Sequence, residues 1–300
     1  MNEFLSVKEI SVIWNLSERS VRNYCSKGRV EGAIFSNGSW LIPSNSKKPI
    51  RKNEMKNKNY LLTTLRKEKS NKYKGGIYHL LQIKLTYNSN HIEGSKLSEE
   101  ETEYIFSTNS LFIENKNYQL DDVLETINHF RCIDRVIDFA NYELSEPFIK
   151  ELHALLKNNT SQARQSRFNV GNYKLLKNVV GYSPTVEPKL VESKMRELLN
   201  EYNKKKHHNL EEIIEFHVNF EKIHPFSDGN GRVGRLILLK ECLKNNIVPV
   251  LISDDIKYFY YRGIRERDNQ KGYMIDTCKF GQDKIKEMLS YFNIPFCEDL

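Results

Sequence analysis

The spacing of apolar residues along the chain predicts a mainly helical protein. Beyond residue 60, apolar positions recur at helical spacing, which is typical of amphipathic helices that bury one face. The predicted helices cover about 61–86, 98–108, 120–142, 146–157, 187–206, 210–223, 230–245, 255–268 and 280–292. Residues 173–188, YKLLKNVVGYSPTVEP, instead combine a Val- and Tyr-rich run with a Gly turn and predict a β-hairpin between helices.

The N-terminal residues follow a different pattern of short elements. Ser6 and Ser17 are placed to cap two short helices, and Gly28 suits the position just after the second. Two apolar runs then flank Ser36-Asn37-Gly38, a strong hairpin signal. Two helices followed by a small β-wing are a compact arrangement that suits DNA binding.

Charge and composition separate this N-terminal part from the rest. The net charge is +7, and residues 1–60 hold 11 Lys and Arg against 5 Asp and Glu, a net of +6. Residues 44–60 are rich in Lys and Asn, which is a linker composition. We therefore predict a winged helix-turn-helix domain at 1–45, a basic linker at 46–60 and a helical domain at 61–300.

Membrane and disulfide classes are disfavoured. The sequence has no apolar run of about eighteen residues and no signal-peptide pattern at its start. Its five cysteines are scattered and odd in number, without a CxxC pair, which fits a reducing compartment. We predict a cytoplasmic protein with no membrane partner.

The N-terminal pattern VKEISVIWNLSERSVRNYCSKGRVEGA…WLIP resembles the MerR/excisionase type of winged helix-turn-helix. In that family the second helix enters the major groove. The resemblance implies that the residues facing DNA are Ser17, Arg19, Ser20, Arg22 and Asn23. It also implies that the wing around Asn37, together with Lys27, contacts the DNA backbone. A small protein-interaction module with a solvated basic face is the alternative.

Residues 224–235, HPFSDGNGRVGR, join two apolar helical segments and concentrate groups suited to phosphate chemistry. A helix that begins near Asn230 directs free N–H groups into this loop and forms an anion site. Gly229 and Gly231 allow close approach of a phosphate. Asp228 beside this site is a candidate Mg²⁺ ligand.

The remaining polar side chains of this stretch supply phosphate ligands and a general base. Arg232 and Arg235 lie three residues apart on the first turn, so they can grip successive phosphates. His224 titrates near neutral pH and suits a general base for an incoming hydroxyl. Together these groups predict attack by a hydroxyl on a nucleotide phosphate.

The stretch matches H-x-F-x-[DE]-G-N-G-R-x-x-R, and the chain from about 60 to 300 resembles the Fic family. Fic proteins are helical and mostly transfer AMP from ATP to a hydroxyl of a target protein. The resemblance implies His224 as base, Asp228 as Mg²⁺ ligand, residues 229–231 at the α-phosphate, and Arg232 and Arg235 at the β- and γ-phosphates. The Doc branch, similar to a kinase, has Lys in place of Gly231, which favours nucleotidyl transfer here.

Two further segments resemble regulatory and target-binding parts of Fic proteins. SNHIEG, residues 89–94, matches the inhibitory motif [ST]-x-x-x-E-[GN] on a helix around 86–94. The resemblance implies Glu93 as an inhibitor that pairs with Arg235, and Ser89 as its hydrogen-bond partner. The hairpin resembles the Fic flap, where an edge strand pairs with a target. That edge would be supplied by Lys177, Asn178, Val179, Val180 and Gly181.

Packing explains one histidine and one group of tyrosines at least as well as a functional role does. His217 lies one heptad before His224, and a core histidine is favoured over a metal pair. Tyr258, Tyr260 and Tyr261 are candidates for stacking on a nucleotide base, but packing explains their spacing equally well.

The sequence as a whole predicts a Fic domain with a β-hairpin flap that follows a winged helix-turn-helix. We expect a protein adenylyltransferase that uses ATP and Mg²⁺, is inhibited by Glu93, and binds DNA through its N-terminal domain. Its acceptor is another protein or the chain itself, and a homo-oligomer is compatible with the pattern. The alternatives are an ATP-sensing transcriptional regulator with little transferase activity, or a Fic enzyme that removes AMP or transfers another group.

Overall fold

The computed structural model describes residues 4–36, 38–49, 58–111, 117–180 and 183–296. The chain forms two compact units, Met1–Asn57 and Lys58–Leu300. The boundary between them falls inside the predicted linker 46–60. Asn37 of the predicted wing and Gly181 of the predicted flap lie outside the described residues.

The first unit combines two helices with a three-stranded antiparallel sheet. Its elements are β1 (Phe4–Ser6), α1 (Val7–Ile13), α2 (Glu18–Ser26), β2 (Ile34–Ser36) and β3 (Ser39–Pro43), with strand order β1-β3-β2. In the register of the sheet, Leu5 lies opposite Ile42 and Ile34 opposite Leu41. The helices and the hairpin were predicted, whereas β1 was not, because three residues carry too little pattern.

Local capping and a small core explain this first unit. Ser6 forms a capping box with Glu9, and the Ser17 hydroxyl accepts a hydrogen bond from the Ser20 N–H. Gly28 follows α2 with φ +65°. The buried apolar residues are Val7, Ile10, Trp14, Val21, Cys25, Val30 and Ile42.

The second unit is mainly helical, as predicted. Its helices are α3 (Tyr60–Ser70), α4 (Ile77–Ile92), α5 (Glu99–Thr108), α6 (Leu120–Phe139), α7 (Glu146–Leu156), α8 (Pro188–Tyr202), α9 (Leu210–Ile223), α10 (Asn230–Lys244), α11 (Lys257–Arg265) and α12 (Lys271–Tyr291). Short 3₁₀ turns cover Gln162–Arg164, Ser166–Phe168 and Asp254–Ile256. Strands β4 (Val179–Val180) and β5 (Ser183–Pro184) pair antiparallel where the hairpin was predicted.

Two predicted helices have different bounds. The predicted helix 61–86 is interrupted between Ser70 and Ile77, where Lys72 and Gly75 adopt positive φ of +50° and +78°. The Glu68 carboxylate accepts a hydrogen bond from the Tyr78 N–H and so supports the new helix start. The predicted helix 280–292 begins at Lys271 instead, since Met274 and Cys278 bury one further helical face.

Helix α10 is the central helix of the second unit and places the functional loop at its start. It packs against α4, α6, α7 and α9. Its buried residues include Val233, Leu236, Ile237 and Leu243. Among the described helices, none is both long and apolar enough to cross a bilayer.

A buried ion pair lies near the C-terminal end of α10. Lys240 and Glu241 are both fully buried, and their charged groups lie 2.7 Å apart. The Lys240 ammonium also donates to the Tyr142 carbonyl at 2.6 Å, and the Tyr202 hydroxyl donates to the Glu241 carboxylate at 3.0 Å. Removal of one partner would therefore leave a buried charge without its counter-ion.

We predict that Lys240→Met lowers the free energy of unfolding by about 3–5 kcal/mol, because the Glu241 carboxylate loses its counter-ion. Urea denaturation followed by circular dichroism measures this loss. Lys189→Met, at an exposed position on α8, is the matched control and should leave the midpoint unchanged. An equal loss in both variants would contradict the prediction.

Candidate active site

The loop between α9 and α10 is shaped by two residues in the left-handed backbone region. His224 ends α9 with φ +53°, and its N–H donates to the Phe220 carbonyl at 3.0 Å. Gly229 precedes α10 with φ +80°, a conformation that favours glycine. The chain thus reverses in six residues, which is why the histidine and the helix start lie at the same site.

The Asn230 side chain fixes this loop from inside. Its Oδ1 accepts from the Phe226 N–H at 2.8 Å, and its Nδ2 donates to the Phe226 carbonyl at 2.9 Å. Phe226 is fully buried and stacks on His153, with ring centroids 3.9 Å apart. Asn230 was predicted at the α-phosphate. Its side-chain amide is used within the loop, so only its backbone N–H is left to contact a ligand.

His153 supports the loop from α7. Its Nδ1 accepts from the Gly171 N–H at 3.0 Å, so its Nε2 carries the proton and donates to the Asp228 carbonyl at 3.1 Å. Burial, together with the nearby Lys157, lowers the pKa of His153 to about 3. His153 is therefore a neutral residue that supports the loop through two hydrogen bonds.

The start of α10 is a candidate anion site. The helix has no side-chain cap, so its first N–H groups lack a capping partner. A Cβ on Gly229 would lie 3.1 Å from Lys157 Cε, besides the strain of its positive φ. A Cβ on Gly231 would lie 2.4 Å from a carboxylate oxygen of Glu93. Neither position therefore has room for a side chain, because Lys157 fills the space beside Gly229 and the Glu93 carboxylate fills the space beside Gly231.

Beside this helix start lies a cluster of four charged side chains, Glu125, Lys157, Asp228 and Arg232, called here the buried charge cluster. The Lys157 ammonium contacts both carboxylates, and Arg232 contacts Glu125 directly. Arg232 Nη2 lies 3.7 Å from Asp228 Oδ2. Two anions and two cations balance here, so the cluster is neutral as a whole.

Asp228 fits the role of a Mg²⁺ ligand. Burial would raise its pKa, but Lys157 and Arg232 outweigh that effect and hold the pKa well below its ordinary value. The carboxylate is thus a hard anionic oxygen donor, and its side chain is 42% exposed. The described residues contain no group of three or more His, Cys, Asp or Glu side chains suited to a metal. Mg²⁺ accepts such an oxygen donor together with water and phosphate oxygens.

Arg235 is held by the segment that was predicted to inhibit. Its Nη2 lies 2.7 Å from the Glu93 carboxylate, which follows the end of α4. Its Nε donates to Ser89 Oγ at 3.0 Å, and Nη2 donates to the Ser89 carbonyl at 2.9 Å. The predicted pairing of Glu93 with Arg235 is present in the structure. Ser89 differs from its prediction, because its hydroxyl supports Arg235 rather than Glu93.

The Glu93 carboxylate lies directly against the anion site, as its proximity to Gly231 indicates. Burial acts to raise the pKa of Glu93, but the guanidiniums of Arg235 and Arg232 outweigh it and lower the pKa below its usual value. Glu93 is therefore an anion paired with Arg235 beside the start of α10.

His224 is neutral at physiological pH. Burial, followed by the positive charge of Lys174, lowers the pKa of the imidazole to about 4. A neutral imidazole can accept a proton, which is what a general base requires.

The flap strand β4 presents an exposed face next to this loop. Val179 is 65% exposed, and Lys177 forms a surface ion pair with Glu187 at 2.6 Å. The Asn178 side chain donates to the Phe226 carbonyl at 3.0 Å, so the flap is joined to the loop that carries His224.

The other candidates lie elsewhere. His217 is buried and its Nε2 lies 2.8 Å from the Tyr260 hydroxyl, so it packs in the core as favoured. Tyr260 is itself buried, whereas Tyr258 and Tyr261 are exposed on α11. In the first unit, Ser17, Arg19, Arg22 and Asn23 are exposed on or just before α2, and Ser20 is half-buried.

Four residues near the site were missed by sequence reasoning: Glu125, Lys157, Lys174 and Glu221. Glu221 is half-buried on α9, and loss of solvent around its carboxyl group raises its pKa to about 8. Each is a lone charged residue within a helix or loop, and nothing local distinguishes it from a solvated one. Glu221 lies three residues before His224, whereas Glu125, Lys157 and Lys174 reach the site through contacts outside the motif.

The fold and site together describe a helical protein with an uncapped helix start, a neutral histidine and an anionic carboxylate at one loop. Comparison with known proteins shows what the chain resembles. Residues 143–242 match the Fic/DOC family. Over 242 residues the chain is 28% identical to a probable protein adenylyltransferase of Aquifex aeolicus, covering 73% of this chain and 69% of that protein. The predicted resemblance to Fic proteins and the predicted enzyme class are confirmed.

Solved structures share the fold. A Fic domain containing signaling protein from Bacteroides thetaiotaomicron is 22% identical, with a TM-score of 0.57 over 78% of this chain and 91% of that one. A Fic family protein from Desulfovibrio desulfuricans is 22% identical, with a TM-score of 0.57 over 78% of this chain and 74% of that one.

We predict that the His224 imidazole stays neutral down to about pH 4 in the protein without nucleotide, because burial and Lys174 disfavour its protonated form. Histidine side-chain NMR over a pH series measures this, and the spectrum of His224→Gln assigns the signal. Titration of that signal near the ordinary histidine pKa of about 6.5 would contradict the prediction.

Proposed function

We propose that this protein transfers AMP from ATP to a hydroxyl side chain of a target protein or of the chain itself, and that Glu93 inhibits the reaction. The observation that carries the proposal is the convergence of a neutral histidine, an uncapped helix start and two arginines on one short loop. Fic-family resemblance in this same stretch supports it.

In the proposed reaction, the α-phosphate lies at the backbone of Gly229, Asn230 and Gly231, and the β- and γ-phosphates face Arg232 and Arg235. His224 takes the proton of the acceptor hydroxyl as its oxygen bonds to the α-phosphorus. The bond from that phosphorus to the bridging oxygen breaks, and pyrophosphate leaves. Asp228 would hold Mg²⁺, which offsets charge on the phosphates. The chain's own contribution is to position and stabilise charge.

Inhibition in this proposal is competition between two anions for Arg235. The Glu93 carboxylate is 2.7 Å from Arg235 Nη2 and adjacent to Gly231. A γ-phosphate cannot contact the same guanidinium edge while the carboxylate remains there. ATP then binds in a pose that does not align the α-phosphate for attack.

Target binding is assigned to the flap. The exposed face of β4 lies beside the loop of His224, and an extended target segment could pair with its backbone. Lys177, Asn178, Val179, Val180 and Gly181 supply this edge in the proposal. Such pairing recognises backbone and leaves the choice of target to neighbouring side chains.

The first unit favours a second function, DNA binding, with the whole protein acting as an ATP-sensing regulator. The supporting observation is the exposed face of α2, where Arg19, Arg22 and Asn23 point away from the core. Arg22 also forms an exposed ion pair with Glu18 at 2.6 Å, which lowers the charge available to phosphates.

We predict that, with α-labelled ATP and Mg²⁺, Glu93→Gly labels protein and the wild type does not, because Arg235 becomes available to the γ-phosphate. Gel autoradiography of the purified protein, alone and with cell extract, measures the label. Glu93→Gly combined with His224→Ala should abolish it.

Glu103→Gln, a change of an exposed carboxylate on α5, is the control and should behave as wild type. Absence of label in all variants, with ATP still bound, would overturn AMP transfer and favour the sensor. Label transferred only from another nucleotide, or loss of AMP from modified protein, would identify the other Fic reactions.

For DNA binding, we predict that Arg19→Ala weakens duplex DNA binding uniformly across sequences. It should also reduce the slope of log K against log salt by about 0.9, the value for one phosphate contact. Fluorescence anisotropy at several salt concentrations measures both quantities. Lys189→Met serves as the basic-residue control. An unchanged affinity in Arg19→Ala and Arg22→Ala would favour a protein-interaction module.

A further inference from the structure

We propose that Lys174 is a positioning residue that latches the flap to the catalytic loop and so sets where an acceptor hydroxyl meets His224. The inference rests on the proposed transfer reaction for its functional part. Its structural part, the latch itself, rests on the hydrogen bonds around Lys174.

The Lys174 ammonium joins the two arms of the flap. It donates to Asn178 Oδ1 at 2.6 Å, before β4, and to Thr185 Oγ1 at 2.6 Å, after β5. The Thr185 hydroxyl in turn donates to the Asn178 carbonyl at 3.0 Å. One buried cation therefore closes the base of a hairpin whose strands are only two residues long.

The same residues connect this base to the loop of His224. The Lys174 N–H donates to the Pro225 carbonyl at 2.9 Å, and Asn178 Nδ2 donates to the Phe226 carbonyl at 3.0 Å. These two carbonyls follow His224 directly in sequence. A shift of Lys174 would thus move the flap relative to the catalytic histidine.

The burial of Lys174 is the unusual feature. The residue is 2% exposed, and among the described residues its ammonium forms hydrogen bonds to neutral oxygens rather than an ion pair. A charge in this position is costly to bury, which is typical of groups retained for function. Burial lowers its pKa to about 8, and Glu187 opposes that shift.

The decisive variants are Lys174→Met, which keeps the length of the side chain and removes its donors, and Lys174→Arg, which keeps donors and charge. Lys189→Met, on the exposed surface of α8 just after the flap, is the matched control. All are made with and without Glu93→Gly in the full chain.

Hydrogen exchange followed by mass spectrometry tests the latch without any need for activity. Lys174→Met should speed exchange of the segment 173–188 about tenfold or more, because its hydrogen bonds to the charged ammonium are lost. Lys174→Arg should restore slower exchange, and Lys189→Met should match wild type. Unchanged exchange in Lys174→Met would overturn the proposal.

Labelling with α-labelled ATP tests the functional part. In the Glu93→Gly background, Lys174→Met should lower the labelling rate about 10²-fold through misplacement of the acceptor. ATP affinity should change by less than about twofold, because the lysine contacts the flap and not the helix start. Faster exchange with an undiminished labelling rate would overturn the positioning role.

Asn178→Ala guards against a folding defect specific to the lysine. It removes the shared acceptor and the bond to Phe226, so it should reproduce the exchange and labelling changes. The double variant with Lys174→Met should be no worse than either single one, and additive losses would count against a common latch. If Glu93→Gly itself labels nothing, the proposed transfer reaction fails while the exchange experiment still decides the latch.

Discussion

The side-chain amide of Asn230 holds the reversal on which the whole site depends. It satisfies the N–H and the carbonyl of Phe226 at once, with bonds of 2.8 and 2.9 Å. Without this clamp, the buried N–H of Phe226 would lose its partner, and the Phe226 carbonyl would keep only the hydrogen bond from Asn178. Because the loop is fixed, His224 can remain in the left-handed region and Gly229 can begin α10 with free N–H groups. The geometry of base and anion site thus follows from one local constraint.

Electrostatic balance explains how the resting site tolerates so many charges. Arg232 is neutralised by Glu125 and Asp228. Arg235 is neutralised by Glu93 alone among the ion pairs described. In the proposed reaction, a phosphate at Arg235 would displace the Glu93 carboxylate. A phosphate at Arg232 and Mg²⁺ at Asp228 would also rearrange the buried charge cluster, so substrate binding exchanges more than one ion pair.

The sequence was most informative where chemistry is compressed into one short stretch. The motif at 224–235 was predicted because a motif specifies local geometry, and the pairing of Glu93 with Arg235 was predicted from the resemblance of residues 89–94 to the inhibitory motif. The helix break before Ile77 was missed, since it depends on the Glu68 carboxylate and on two residues of positive φ. Lys157 and Lys174 were missed for another reason. Their partners lie far along the chain or across a hairpin, and lone lysines are ordinarily solvated.

The absence of a side chain at Gly231 links this position to Glu93 in evolution. Its missing Cβ leaves the space in which the Glu93 carboxylate rests, at 2.4 Å from where such an atom would be. Any side chain at this position would push the carboxylate away from Arg235. A lineage that replaced this glycine would thus lose the contact between Glu93 and Arg235 in the same step as it reshaped the start of α10. Positions 93 and 231 should accordingly be inherited as a pair, although 138 residues of sequence separate them.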